Sequence, residues 1–482
     1  MKKCYKNQTC FFVYSIILCV LFNINLSAQD ITLKIHLRGV FESKISLLPL
    51  TGTNILNPIA EREGIRNGET AIITVPRDKL PGEFVLRFDY RDKETSTPYP
   101  SEKHIIIYNQ DLELWVYPPY CNNMDSTYFQ KNEKENALYV HFAKESGKQK
   151  EKLILLQNFL ISYDDTQSNF YQQGIEEYDK RRIAFNQWLT EQIAKQNGLF
   201  VSHTFVFQYM PQIAFKGSES DRIQSVLTHY FDGIDFKDTL LINTSGLKEW
   251  MNGYVNIYGA RAVTEELRDS LFTLAGKRAI EKASLGHPKM YGWMVDYFYN
   301  GYESYNIQKG MAMLQTHIDN PRCLTSKKQQ IIKRLEGMAK LVAGTQSPDF
   351  TLTNAEGIEF NFHAYKGTAK YKLLLFWSAD CEHCQQLVNE IKQWYNEAGN
   401  KEKLNIIAVS LDDTETEVQK WENTIKTLPG WQQMRANGGV NAPVANDYAI
   451  LSTPAMFLID SKSNIIKSTP DSFEKLIKDL EK

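Results

Sequence analysis

At 482 residues the chain exceeds what one hydrophobic core ordinarily serves, so two or three domains are expected. Hydrophobic residues make up 43% of it and aromatics 12%, the composition of a folded protein rather than a disordered one. The formal net charge of −2 offers no basic surface, which argues against nucleic acid as a partner.

The first residues read as an address, not as part of the fold. Lys2, Lys3 and Lys6 precede an apolar run from Phe11 to Phe22, and Ser27-Ala28-Gln29-Asp30 follows. A basic start, a short apolar core and small residues make a secretory signal peptide over residues 1–28, cleaved after Ala28. An uncleaved anchor is the alternative, although the run is short for a membrane span. A lipid attached through Cys19 is disfavoured by the bulky Leu18 before it. Export places the mature protein in the periplasm or cell envelope, where disulfides persist. Of seven cysteines, Cys121, Cys323, Cys381 and Cys384 then remain. The last two pair by spacing; for Cys121 and Cys323, free buried thiols and a bridge between domains both stay open.

Residues 30–120 predict a β-sandwich. Ile31–Leu37 alternates apolar and polar residues, and Ile45–Leu50, Ala71–Val75, Phe84–Tyr90, His104–Tyr108 and Leu112–Tyr117 continue the strands. Turn signals such as Asn67-Gly68, Pro81-Gly82 and Pro118-Pro119 separate them. No catalytic constellation stands here, and His36 and His104 read as packed or surface residues rather than metal ligands.

Residues 126–344 change period and predict an all-α domain. Ile175, Tyr178, Arg182, Phe185, Trp188 or Leu189, and Ile193 share one helical stripe. Ile223, Val226, Leu227 and Tyr230 form a second after Asp221; Leu267, Leu271, Leu274 and Arg278 form a third after the cap Thr264. Ile331, Ile332, Leu335, Met338, Leu341 and Val342 form a fourth, stopped by Gly344. The aromatic run Tyr291–Tyr299 reads first as core and second as a partner-binding surface.

Residues 345–482 predict an α/β domain. Two short strands flank the turn Asn354–Gly357, and a strand over Tyr371–Trp377 leads to Ser378-Ala379-Asp380-Cys381-Glu382-His383-Cys384. A helix follows from about Gln385 to Glu397. Then come a strand Leu404–Ser410, a helix from near Asp413 or Thr414, a strand Ala455–Ile459, a strand at Ile465–Lys467 and a last amphipathic helix. Two cysteines at a strand-to-helix junction meet the unpaired N–H groups and positive dipole end of that helix, which favours a thiolate. Two residues between them bring the sulfurs within reach of a disulfide. The geometry predicts Cys381 as the exposed nucleophile and Cys384, one turn in, as the sulfur that resolves the mixed disulfide. His383 would favour a thiolate at Cys381, whereas Asp380 and Glu382 would oppose it; Trp377 closes the strand behind them.

This part resembles the thioredoxin fold, in particular the exported TlpA/ResA-type thiol–disulfide oxidoreductases grouped with the alkyl hydroperoxide reductase/thiol-specific antioxidant superfamily. The resemblance rests on Pro348-Asp349-Phe350, Gly357, Phe376-Trp377, the CxxC motif, and Ser452-Thr453-Pro454 leading into Phe457-Leu458-Ile459-Asp460. It covers under a third of the chain, with the sandwich and helices resembling accessory regions of Bacteroidetes-type proteins. It implies a cis Pro454 facing the disulfide and backbone groups of Thr453 pairing with substrate. It further implies exported protein substrates carrying disulfides or thiols, a membrane electron donor, a reductase direction, and no cofactor beyond the Cys381–Cys384 disulfide. Three positions depart from the pattern: Asp380 replaces an apolar residue, Leu375 replaces a buried aspartate, and Leu387 replaces a glutamate.

Two other functions compete. A peroxiredoxin-type thiol peroxidase would use Ser378 as its hydroxyl before Cys381, but Leu374 stands where its proline belongs. A binding protein on a redox-inert scaffold would have no use for Cys381, Cys384 and Pro454 together. No metal site is expected, because no second CxxC accompanies the first.

Overall fold

The structure, a computed structural model, describes residues 30–52, 57–450, 453–468 and 472–480. The signal segment over residues 1–28 lies outside the described residues, as does Ser452. Among the described residues no helix is long and apolar enough to cross a membrane.

The architecture is multidomain: a sheet-rich N-terminal region, a central helical region and a C-terminal thioredoxin-like α/β domain. The chain forms two compact units. One holds residues up to Ile234 with Thr239–Asn252, the other Asp235–Asp238 with Gly253–Lys482. The helical stretch expected as one body over 126–344 is thus shared, the division falling within the helix Ser245–Gly259. Packing explains the sharing. Phe142, Leu189, Phe200 and Phe205 of the early helices cluster with Ile106 of the sandwich. The helix Lys328–Ala339 ends before the expected Leu341 and Val342, and the turn after it instead contributes Leu341 to the C-terminal core.

In the first unit, β1 (Ile31–Leu37), β4 (Thr70–Val75), β7 (Leu112–Val116) and β8 (Tyr128–Phe129) form a sheet in the order β4-β1-β7-β8. A second sheet has the order β3-β2-β5-β6, from β2 (Glu42–Pro49), β3 (Ala60–Arg66), β5 (Gly82–Arg91) and β6 (Tyr99–Ile107). Among the described residues of this unit only β1 and β7 pair in parallel. Alternate residues such as Leu33, Ile35, Ile45, Leu47, Phe84 and Leu86 are buried between the sheets. Strand β3 escapes sequence reading because Glu61, Arg62 and Glu63 face water on an edge, where Lys44 pairs with Glu61 at 2.9 Å. His36 bonds Thr70 Oγ1 at 2.7 Å and Glu113 at 2.8 Å, and stacks on Trp115; His104 packs against Tyr139 with the rings tilted.

The helical stripes fare unevenly. Tyr178, Arg182, Phe185 and Leu189 are buried on the helix Asn169–Lys195 as expected. The helix Glu219–His229 begins ahead of Asp221: its cap is Ser218, and Asp221 returns the bond as the third residue of a capping box. Thr264 does cap the helix Glu265–Ser284, accepting from Leu267 N at 3.2 Å. Its buried face, however, is Ala275, Ala279, Ile280 and Ala283, while Leu267 and Leu274 are exposed. Small residues win because the helix Pro288–Ser304 packs closely here, Tyr302 donating its hydroxyl to the Phe272 carbonyl. Within that second helix Tyr291, Met294, Val295, Phe298 and Tyr299 are core residues.

In the C-terminal domain a hairpin of β9 (Thr351–Thr353) and β10 (Glu359–Asn361) precedes a five-stranded sheet. Its strands are β11 (Tyr371–Trp377), β12 (Leu404–Ser410), β13 (Gln432–Arg435), β14 (Ala455–Asp460) and β15 (Ile465–Ser468), in the order β13-β12-β11-β14-β15. The first three run parallel and the last two antiparallel to their neighbours. Strand β11 is central and covered on both faces. Leu373, Leu375 and Trp377 enter one core cluster, Leu374 and Phe376 the other.

Candidate active site

Strand β11 delivers the chain to the turn Ser378–Asp380, and Cys381 then caps the helix Glu382–Tyr395. Its sulfur takes the role usually given to a Ser or Asp oxygen, accepting from Cys384 N at 3.3 Å. A sulfur so placed meets the unpaired N–H groups of the first turn, which interact best with the thiolate. Cys381 remains half-exposed, so an incoming sulfur can reach it.

Cys384, the third helical residue, is fully buried among Leu375, Trp377, Ala379 and Val388. Burial, followed by its bond to Cys381, pushes its thiol up to about 12. The Thr453 side chain and the Ser378 backbone pull the other way through hydrogen bonds to the sulfur. Both cysteines are free thiols, one accessible and acting as a cap, the other enclosed and protonated.

Across the site, the Thr453–Pro454 peptide is cis, and Cys381 Sγ lies 3.6 Å from the Thr453 carbonyl oxygen. The structure therefore brings together Cys381, Cys384, Thr453 and Pro454. It does not gather the remaining expected residues at the sulfur. Asp380 is exposed and forms an ion pair with Lys420 of the helix Glu415–Ile425, so its charge is already engaged. Glu382 and His383 are exposed on the first turn. Trp377 lies wholly in the core with Cys384 rather than at the rim. Leu375 is likewise core, and Leu387 is half-buried at its edge.

One functional candidate escaped the sequence reading: Asp412, two residues past β12. It is 1% exposed, and its carboxylate accepts from Ser378 Oγ at 2.6 Å, Ala379 N at 2.9 Å and Ser410 Oγ at 2.7 Å. Ser378 Oγ in turn accepts from Asp380 N at 3.1 Å. The available signal was position. Ser410 is the register partner of Trp377, so an acid just beyond it must fall beside the turn that carries Cys381. Ser378, the hydroxyl a peroxidase would use on peroxide, spends its proton on Asp412.

The other cysteines stand apart from this chemistry. Cys121 is buried and donates to the Glu102 carbonyl at 3.3 Å; Cys323 is buried, and burial pushes its thiol up to about 11. Both are free thiols. Among the described residues no three His, Cys, Asp or Glu side chains converge as metal ligands.

Residues 343–468 match the AhpC/TSA family. The thiol–disulfide oxidoreductase ResA of Bacillus thuringiensis subsp. konkukian is 26% identical over 149 residues, which span 29% of this chain and 80% of that relative. A thiol–disulfide oxidoreductase structure from Bacteroides fragilis shares 26% identity, covering 28% of this chain and 99% of its own, with a TM-score of 0.25. A thioredoxin-like protein from Bacteroides caccae shares 18% identity and covers 56% of this chain and 97% of its own, with a TM-score of 0.37. The match to the AhpC/TSA family lies in the C-terminal domain that carries Cys381 and Cys384.

Proposed function

We propose that the protein is a thiol–disulfide oxidoreductase that reduces disulfides in exported proteins, in the periplasm or cell envelope. The single observation that carries this reading is the pairing of a half-exposed, helix-capping Cys381 with a buried, protonated Cys384, opposite the Thr453 carbonyl. The Cys381 thiolate attacks one sulfur of a substrate disulfide, forming a mixed disulfide and expelling the other sulfur as a thiolate. Cys384 then gives up its proton and attacks Cys381 Sγ, releasing the second substrate sulfur. The substrate gains two electrons and the Cys381–Cys384 pair loses them.

The backbone of Thr453, beside Pro454, holds the substrate strand while this happens. No cofactor beyond the cysteine pair takes part, and a membrane electron donor restores the dithiol. The reductase direction rests on the resemblance of the C-terminal domain to exported TlpA/ResA-type oxidoreductases, which act mostly as reductants.

Insulin reduction by the dithiol form tests the activity, with Cys381→Ser as the blank; equal rates would remove the proposal. Equilibration with glutathione tests the direction. A potential below about −200 mV supports a reductase, and one near about −120 mV makes the protein an oxidant.

A further inference from the structure

Asp412 is the one buried acidic residue among the described residues of the C-terminal domain. Taking a carboxylate out of water costs several kcal/mol, to be offset by bonds made inside. Here the bonds run to one place. Of its three donors, Ser378 Oγ and Ala379 N belong to the turn before Cys381, and Ser410 Oγ braces the carboxylate from β12. The backbone of Asp412 is held as well, its N–H donating to Ser410 Oγ at 3.0 Å and its carbonyl accepting from Arg435 Nη1 at 3.2 Å. A fold needing only a plug at this position would be served by an apolar side chain.

We propose that Asp412 is the positioning residue of the nucleophile turn, holding residues 378–380 so that Cys381 Sγ stays aligned with the N–H of Cys384. The chain of contacts is continuous. The carboxylate fixes the Ser378 hydroxyl, which accepts from Asp380 N, and Cys381 N donates to Ser378 O at 3.3 Å. Each residue from Ser378 to the cap is thereby tied, directly or through Ser378, to a side chain just past the neighbouring strand. Asp412 touches neither sulfur; it acts through the turn. The inference rests on the exchange chemistry proposed above only in naming Cys381 as the nucleophile.

Asp412→Asn keeps the volume but replaces one acceptor oxygen with a donor, so the three bonds cannot all be retained. The experiment follows iodoacetamide alkylation of Cys381 in the full reduced chain, read by mass spectrometry at several pH values, with Tm measured alongside. Loss of alignment is expected to slow alkylation near neutral pH roughly five- to tenfold and to displace the rate profile to higher pH. Ser378→Ala, which keeps the charge and removes one donor, is expected to shift the profile the same way by less. Faster alkylation in Asp412→Asn would overturn the proposal, because the carboxylate would then be acting as a repelling charge. A lowered Tm with an unmoved profile would also overturn it, leaving Asp412 a purely structural group. If Asp412→Asn does not fold, Ser378→Ala decides alone: an unmoved profile refutes positioning through the turn. Alkylation needs no substrate protein, so failure of insulin reduction and failure of this inference are separate results.

Discussion

Cys381 Sγ stands 3.6 Å from the carbonyl oxygen of Thr453, with its own helix on one side and the loop of Pro454 on the other. A substrate disulfide must therefore meet the sulfur in the gap beside Thr453. Cys381→Ser is expected to reduce exchange to background. Cys384→Ser keeps the attacking sulfur and removes the resolving one, so it should accumulate a mixed disulfide with substrate, visible on a non-reducing gel and lost on adding dithiothreitol. Absence of that adduct would assign the attack to the wrong cysteine.

The raised Cys384 thiol makes stability depend on redox state at high pH. An unfolded chain gives up this proton near its ordinary value of 9.0, while the folded dithiol keeps it to about 12. Between these values the folded state binds more protons, so its stability falls as pH rises; below the window the contribution is complete. The disulfide form has no thiol at Cys384 and escapes that loss. Cys323 and the buried tyrosines contribute equally to both forms. Thermal unfolding should therefore show the reduced protein losing ground to the oxidised one as pH rises above about 9, and parallel curves would contradict the burial of Cys384.

Lys420 neutralises the carboxylate next to the nucleophile. Lys420→Met should leave Asp380 free to repel a thiolate at Cys381, slowing its alkylation roughly two- to fivefold at low salt. Both partners are about half exposed, so molar salt should erase the difference. Asp380→Asn should remove it too, and a persistent defect in the double variant would mean that Lys420 acts by another route.

Two glycines of one helix should respond oppositely to alanine. A Cβ on Gly292 would collide with the Leu324 backbone, whereas one on Gly301 would meet nothing within 4 Å. Gly292→Ala is expected to cost about 1–3 kcal/mol, the usual price of overpacking. Gly301→Ala should stabilise by up to about 1 kcal/mol through helix propensity. Thermal melts of the two variants should shift in opposite directions.

Much of the candidate site was legible because its signals are local. An apolar run ending at two cysteines fixes a strand, a turn and a helix start, and Thr453-Pro454 before an apolar strand marks the facing loop. What stayed hidden depends on which residues the sheet makes neighbours. Asp412 lies between the strand expected to end at Ser410 and the helix expected from near Asp413, with no signal of its own, and only the pairing of Trp377 with Ser410 turns it toward Ser378. Lys420 reaches Asp380 only because the helix Glu415–Ile425 lies beside the cysteine turn. In the fold, β3 and β13 lack an apolar signature, since one is a charged edge and the other is four residues of mixed polarity. The helix Glu265–Ser284 misled through its leucines, because close helix packing rewards alanine.

Leu341 determines where the redox domain can be severed from the rest of the chain. It is 5% exposed within the cluster of Phe350, Phe362, Tyr448 and Ile465, ahead of the glycine that looks like the natural boundary. Gly344 N donates to Ile465 O at 2.7 Å, and Ile465 N returns a bond to Thr345 O at 2.8 Å. A fragment begun at Gln346 would discard these backbone bonds together with a core leucine, whose loss alone is worth about 2–5 kcal/mol. One begun before Met338 keeps all of them, so the shortest autonomous piece carrying Cys381 and Cys384 starts inside the preceding helix.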